Sequence, residues 1–150
     1  MISISSDPLA VARRYAADPA ARPAPLRFDP AGRWYTRLAV APDHEVWLLT
    51  WLPGQHTDLH DHGGSAGAFL VASGALTEET VARGRLRPAV LVAGAGRRFG
   101  VHHIHRVSNQ ADQPAVSVHV YRPALRSMTR YQLDGGRLRV AEVARAGVAW

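Results

Sequence analysis

The feature that most limits how this chain can fold is a succession of short β-prone segments, starting at Trp34 and punctuated by glycine or proline. Residues 34–38, 45–51, 66–72, 75–81, 89–92, 103–108, 115–121 and 128–133 are such segments, and 137–143 reads as one more. Gly54, Gly74, Gly84, Gly94, Gly96, Pro114 and Pro123 separate them. Many short strands at this spacing predict an all-β sandwich or barrel. Ahead of the strands, residues 7–18 read as a helix. Ser6 or Asp7 can cap it, Pro8 suits its first turn, and Leu9, Val11, Ala12, Tyr15 and Ala16 give it one apolar face. Pro19, Pro23, Pro25 and Pro30 mark a surface loop between helix and strands, and residues 144–150 carry no signal.

At 150 residues the chain is the size of one domain. It reads as a single unit over 1–150, with helix and loop at about 6–32 and the strands at about 33–143. Cysteine is absent, which excludes disulfides, thiolate metal sites and cysteine nucleophiles. No apolar run approaches the ~20 residues of a membrane helix. The first residues lack the basic patch and apolar stretch of a secretory signal, so a cytoplasmic location and no membrane partner are expected. The formal charge is +6, and all 18 basic residues are arginines scattered along the chain. A nucleic-acid binder gathers its charge on one face with aromatics between, so no nucleic-acid partner is expected either. The oligomeric expectation is a monomer or weak homo-oligomer.

Eight histidines carry the chemistry. His60-Asp61-His62 places two imidazoles at i and i+2, which on a strand point to one side and reach one ion. A later group, His102-His103-Ile104-His105, offers a third ligand from another strand. His103 and His105 would share a strand face, which makes them rivals. Ser117, His119 and Tyr121 alternate along another strand, so they share a face and could form one hydrogen-bonded chain that orients the phenol. Tyr35 and Arg37 likewise share a face, and arginine can grip a carboxylate with two parallel hydrogen bonds. His44 and His56 read as surface residues, and Arg106 and Asn109 as structural ones.

The spacing is more specific than the count. Gly54, five residues, His60-x-His62, four residues, Gly67, six residues and Gly74 match the first cupin motif, with Gly67 where glutamate is usual. Gly94, five residues, Gly100, then His105, three residues and Asn109 match part of the second. Without the glutamate, three neutral imidazoles leave a divalent ion its full charge and favour an anionic ligand such as a thiolate.

Over residues 34–131 the chain resembles the cysteine dioxygenase (thiol dioxygenase) family of cupins. The resemblance rests on Tyr35-Thr36-Arg37, Trp51-x-x-Gly54, His60-Asp61-His62 with Ser65, His105-Arg106-Val107-x-Asn109, and Ser117-Val118-His119-Val120-Tyr121. It implies a cupin-type β-barrel (a double-stranded β-helix, jelly-roll-like) with a short N-terminal α-helix. It also implies an Fe(II) enzyme that adds both atoms of O2 to a small-molecule thiol. On this resemblance His60, His62 and His105 match the iron ligands, and Arg37, with Tyr35 and Trp51 nearby, matches the residue that binds the substrate carboxylate. Tyr121, His119 and Ser117 match the catalytic triad behind the metal. Animal members carry at the Gly67 position a cysteine crosslinked to the matching tyrosine; this chain cannot form that bond. The expected reaction is L-cysteine to cysteine sulfinic acid. The alternatives are 3-mercaptopropionate or another small thiol, and a non-catalytic metal- or ligand-binding cupin. Family members that prefer 3-mercaptopropionate tend to carry glutamine near the arginine position, so Arg37 favours cysteine.

Overall fold

The N-terminal helix forms where its cap and apolar spacing put it. In a computed structural model that describes residues 7–145, α1 (Pro8–Ala17) starts on Asp7, whose carboxylate accepts from the Ala10 N–H at 3.3 Å. Ser6, the other expected cap, and residues 146–150 lie outside the described residues. A single 3-10 turn, Pro19–Ala21, follows, and the proline-rich run to residue 33 holds no regular element.

The strands are β1 (Trp34–Val40), β2 (Glu45–Trp51), β3 (Leu59–His60), β4 (Ala66–Ser73), β5 (Ala75–Ala82) and β6 (Arg85–Val92). Then come β7 (Gly96–Phe99), β8 (His105–Ser108), β9 (Ala115–Arg122), β10 (Ser127–Asp134) and β11 (Arg137–Arg145). They pair antiparallel into a five-stranded sheet, β1-β2-β9-β4-β7, and a six-stranded sheet, β11-β10-β3-β8-β5-β6. This is the all-β, two-sheet cupin architecture with one short helix that the resemblance implied. Among the described residues no helix is long and apolar enough to cross a membrane.

The structure departs from expectation in three places. β7 is an additional strand, and the strand expected to carry both His60 and His62 ends at His60, so His62 lies in the loop that follows. β3 has two residues, and β7 lies in a glycine-punctuated run whose strand character comes from pairing with distant β4. β6 starts earlier than expected and contains Pro88, which is tolerated because β6 is an edge strand. β8 begins only at His105. A turn closed by the His103 N–H on the Gly100 carbonyl at 3.2 Å keeps His103 off the strand, so the two histidines do not share a strand face.

β9 is buried on both sides, which explains its nearly continuous burial from Ala115 to Tyr121. Val118 and Val120 pack with Val46, Ala68 and Leu70 beneath Leu9, Val11 and Ala12 of α1. The other face of the same sheet turns inward. There Trp51, Phe69, Val71, Phe99 and Tyr121 join Leu76, Val107 and Met128 of the second sheet in the barrel core. Gly67 is required by a close approach rather than by its backbone angles. A Cβ there would run into the Val120 carbonyl oxygen and come within 2.8 Å of the Phe99 ring.

Candidate metal centre

Two strands and one loop bring three histidines to a point. His60 closes β3 and pairs in register with His105 at the start of β8, and His62 follows two residues after β3 ends. The ring centroids are 4.7 Å apart for His60–His105 and 5.0 Å for both His60–His62 and His62–His105. One nitrogen from each lies within 4.8 Å of the others. All three rings are buried, and burial holds each imidazole below the ordinary histidine range, most strongly for His60 and His62. They are therefore neutral at pH 7 and have lone pairs to offer.

The outer nitrogens orient the rings. His60 Nδ1 lies 2.7 Å from the Asp58 carbonyl, which fixes the proton there and frees Nε2. His105 Nδ1 lies 2.8 Å from Glu78 Oε2. His62 is held by stacking on Phe99 at 4.3 Å, and its buried Nδ1 has no hydrogen-bond partner. Three convergent neutral imidazoles, two of them anchored through the nitrogen that faces away, fit a divalent transition metal.

Glu78 and Phe99 escaped the sequence reading. Glu78 is buried on β5, with His105, His103 at 3.2 Å and Arg97 at 3.5 Å around it. Burial alone would raise its carboxyl, but hydrogen bonds from His103 and His105 bring it down to about 2. The motif lacks a carboxylate among the ligands, yet a buried carboxylate stands behind His105. Glu78, His103 and His105 form a second convergent set through the other nitrogen of His105. His103 therefore supports Glu78 from the loop instead of competing for the three-histidine point. Phe99 pairs in register with Gly67, and Gly67 with Tyr121 on its other side. The Phe99 ring packs over the space beside Gly67, 6.3 Å from the Tyr121 ring. No local signal marks either residue, because both act through partners far away in sequence.

The five-stranded sheet forms the opposite wall. Ser117 Oγ accepts from the Trp51 indole N–H at 2.8 Å and lies 2.7 Å from His119 Nε2. The indole can only donate, so the serine hydroxyl's own proton is available for His119 Nε2. Burial lowers His119 to about 3, which keeps it neutral as that arrangement needs. Tyr121 follows on the same face, its ring 6.5 Å from His119 and 5.5 Å from His62. Burial pushes its phenol up, so it keeps its proton at neutral pH. Asn109 is fully buried and donates to the Trp51 and Gln113 carbonyls at 3.0 and 2.9 Å, and Arg106 pairs with Glu79.

Between the walls lies a cleft of about 770 Å³, open solvent at its mouth included. His60, His105, His119, Tyr121, Trp51 and Tyr35 all line it. His56, expected at the surface, is exposed and also stands at its edge. Arg37 does not line the cleft. Its side chain is 53% exposed, lies 3.9 Å from Glu45 and sits 5.9 Å over the Trp47 ring. Trp47, braced edge-on by Tyr35 at 6.0 Å, occupies the cleft wall. Arg33 does line the cleft.

The family model for cysteine dioxygenase type I matches residues 6–134. The chain belongs to that family. It is similar in fold to a solved protein of Thermus thermophilus, at 22% identity and a TM-score of 0.59 over 66% of this chain and 90% of that one. A Klebsiella pneumoniae protein with a double-stranded β-helix domain gives 20% identity and a TM-score of 0.58 over 78% and 90%. An oxalate oxidase in complex with glycolate gives 20% identity and 0.54 over 63% and 53%. At these identities the solved structures show a common fold. Together, the cysteine dioxygenase family and the three-histidine centre describe a metal-dependent cupin of the oxidoreductase class.

Proposed function

We propose that this protein is an Fe(II)-dependent thiol dioxygenase that converts L-cysteine and O2 to cysteine sulfinic acid. The observation that carries this reading is the facing of two walls across one cleft. Three neutral histidines stand on one side, and the Trp51–Ser117–His119 chain with protonated Tyr121 stands on the other. Iron held by His60, His62 and His105 would supply the chemistry that adds both oxygen atoms to the sulfur. A site built only to hold a metal would not need a buried phenol aimed at the same space.

The chain's own residues have separate tasks in this reading. Neutral imidazoles bring no negative charge directly to the metal, and the nearest carboxylate, Glu78, stands one ring further out behind His105, which leaves room for the thiolate form of the substrate. Tyr121 keeps its O–H and can donate to oxygen that develops negative charge in the cleft. His119, held through Ser117 and Trp51, fixes the wall from which Tyr121 projects. Val107, Leu49, Leu125 and Met128 give the lining an apolar part that limits water around the reacting sulfur.

The test is oxygen uptake by anaerobically iron-loaded protein given L-cysteine or 3-mercaptopropionate, with products identified by mass. One O2 consumed per cysteine sulfinate formed is the expected result. Turnover of 3-mercaptopropionate alone would keep the reaction and change the substrate. Bound iron with no turnover of either thiol would favour a ligand-binding cupin.

A further inference from the structure

We propose that Asp61, clamped by Tyr131 of β10, is the positioning residue that sets His62 at the metal point. The inference rests on the three-histidine centre and not on which thiol is oxidised. His62 differs from the other two ligands. His60 and His105 are each oriented through Nδ1, by the Asp58 carbonyl and by Glu78. The buried Nδ1 of His62 has no such partner, and its ring packs on Phe99 at 4.3 Å. No strand carries it either, because β3 ends at His60. The position of His62 therefore depends on what holds the backbone beside it.

Asp61 is built into that backbone. In the β3–β10 pairing His60 lies opposite Arg130, so Asp61 falls opposite Thr129. The Asp61 N–H donates to the Thr129 carbonyl at 2.9 Å. The return bond runs from the Thr129 N–H to Asp61 Oδ1 at 3.0 Å, so a side-chain carboxylate takes the place of a strand carbonyl. The ladder stops there, and the chain turns. The same Oδ1 accepts from the Gly63 N–H at 3.0 Å, which bends the chain around His62. The Ser65 N–H closes the turn on the His62 carbonyl at 3.0 Å. Tyr131 donates its O–H to Asp61 Oδ2 at 2.7 Å. One carboxylate thus takes three donors, one from the loop and two from β10. Gly63 lies so close to β10 that a Cβ there would run into Ser127. Metal–nitrogen bonds are about 2.0–2.1 Å long, so loosening this loop by even ~0.5 Å costs the site its third ligand.

Cobalt(II) titration tests this, because the visible bands of the ion report ligand geometry and need no turnover. Asp61→Ala is expected to weaken cobalt binding about 10- to 100-fold in competition with a chelator, and to shift those bands. Asp61→Asn, whose amide oxygen still accepts from Thr129 and Gly63, should lose less. Tyr131→Phe removes a single hydrogen bond and should weaken binding about threefold to tenfold. Asp61→Asn and Tyr131→Phe decide the matter if Asp61→Ala does not fold. A cycle with His62→Ala separates positioning from general support of the fold. His60 and His105 still hold cobalt weakly in that variant, and adding Asp61→Asn should then cost less than about twofold more. Full additivity of the two losses would overturn the assignment, as would wild-type affinity and bands in both Asp61→Asn and Tyr131→Phe. Val118→Ala, destabilised on the α1 face of β9, should keep wild-type cobalt bands. The same band shift in that variant would mean that lost stability, and not Asp61, moves the metal. Cobalt results as expected, with no thiol turned over by iron-loaded wild type, would sink the dioxygenase reading alone. Wild-type protein that takes up no cobalt sinks the metal centre and this inference together.

Discussion

The two faces of β9 come from one run of residues and do opposite work. Val118 and Val120 face α1 in a dry aliphatic layer. His119 and Tyr121 face the cleft with Ser117 behind them, all three buried but polar. Apolar burial stabilises the first face directly. On the second, hydrogen bonds tie Ser117 to Trp51 and His119 and offset part of the cost, since an unpaired buried donor costs about 1–3 kcal/mol. One strand thus anchors the fold with one face and gives up stability with the other to hold a phenol in place.

The largest effect is expected at Gly67, on β4 beside β9. Gly67→Cys should not restore a crosslink to Tyr121, because Val120 and Phe99 already fill that space. It should destabilise the protein by about 3 kcal/mol or more, on the order of 10 °C in Tm by calorimetry. A stable variant two hydrogens lighter by intact mass would show that the strands yield.

On the outer face alone, Val118→Ala should cost about 2 kcal/mol in urea unfolding while iron content and turnover hold. Lost iron in that variant would mean that the faces are coupled. Tyr121→Phe is the inner-face counterpart. Turnover should drop about tenfold or more while iron is retained and stability changes by less than about 1 kcal/mol. Full turnover would remove Tyr121 from the chemistry. Behind the metal ligands, Glu78→Gln should weaken metal binding about 10- to 100-fold in competition with a chelator, with the fold intact. Unchanged affinity would leave Glu78 a structural role only.

A further effect is one of slope. His119 titrates at about 3 in the folded protein against an ordinary 6.5, so below pH 6.5 the unfolded chain binds a proton that the native state refuses. Stability should therefore fall as pH drops from 6.5 to about 3. Glu78, at about 2 against 4.5, should add its own loss between those values. Urea midpoints measured across this range should fall less steeply in His119→Gln than in wild type, and parallel curves would contradict the assignment.

Much of this could be read from the sequence because it is local. The cap of α1 and the alternation of Ser117, His119 and Tyr121 are set by backbone periodicity, which a sequence displays directly, whereas His62 reaches the metal point from a loop after β3. The succession of short strands likewise determined the all-β class. What only the tertiary structure decided depends on register between distant strands. Pairing of β5 with β8 puts Glu78 behind His105, pairing of β4 with β7 lays Phe99 over Gly67, and a turn at Gly100 removes His103 from the strand. Arg37 lies over the Trp47 ring outside the cleft, whereas Arg33 lines it. Spacing along the chain names the residue types a site needs, but which of two arginines enters the cleft is decided only when the strands pack.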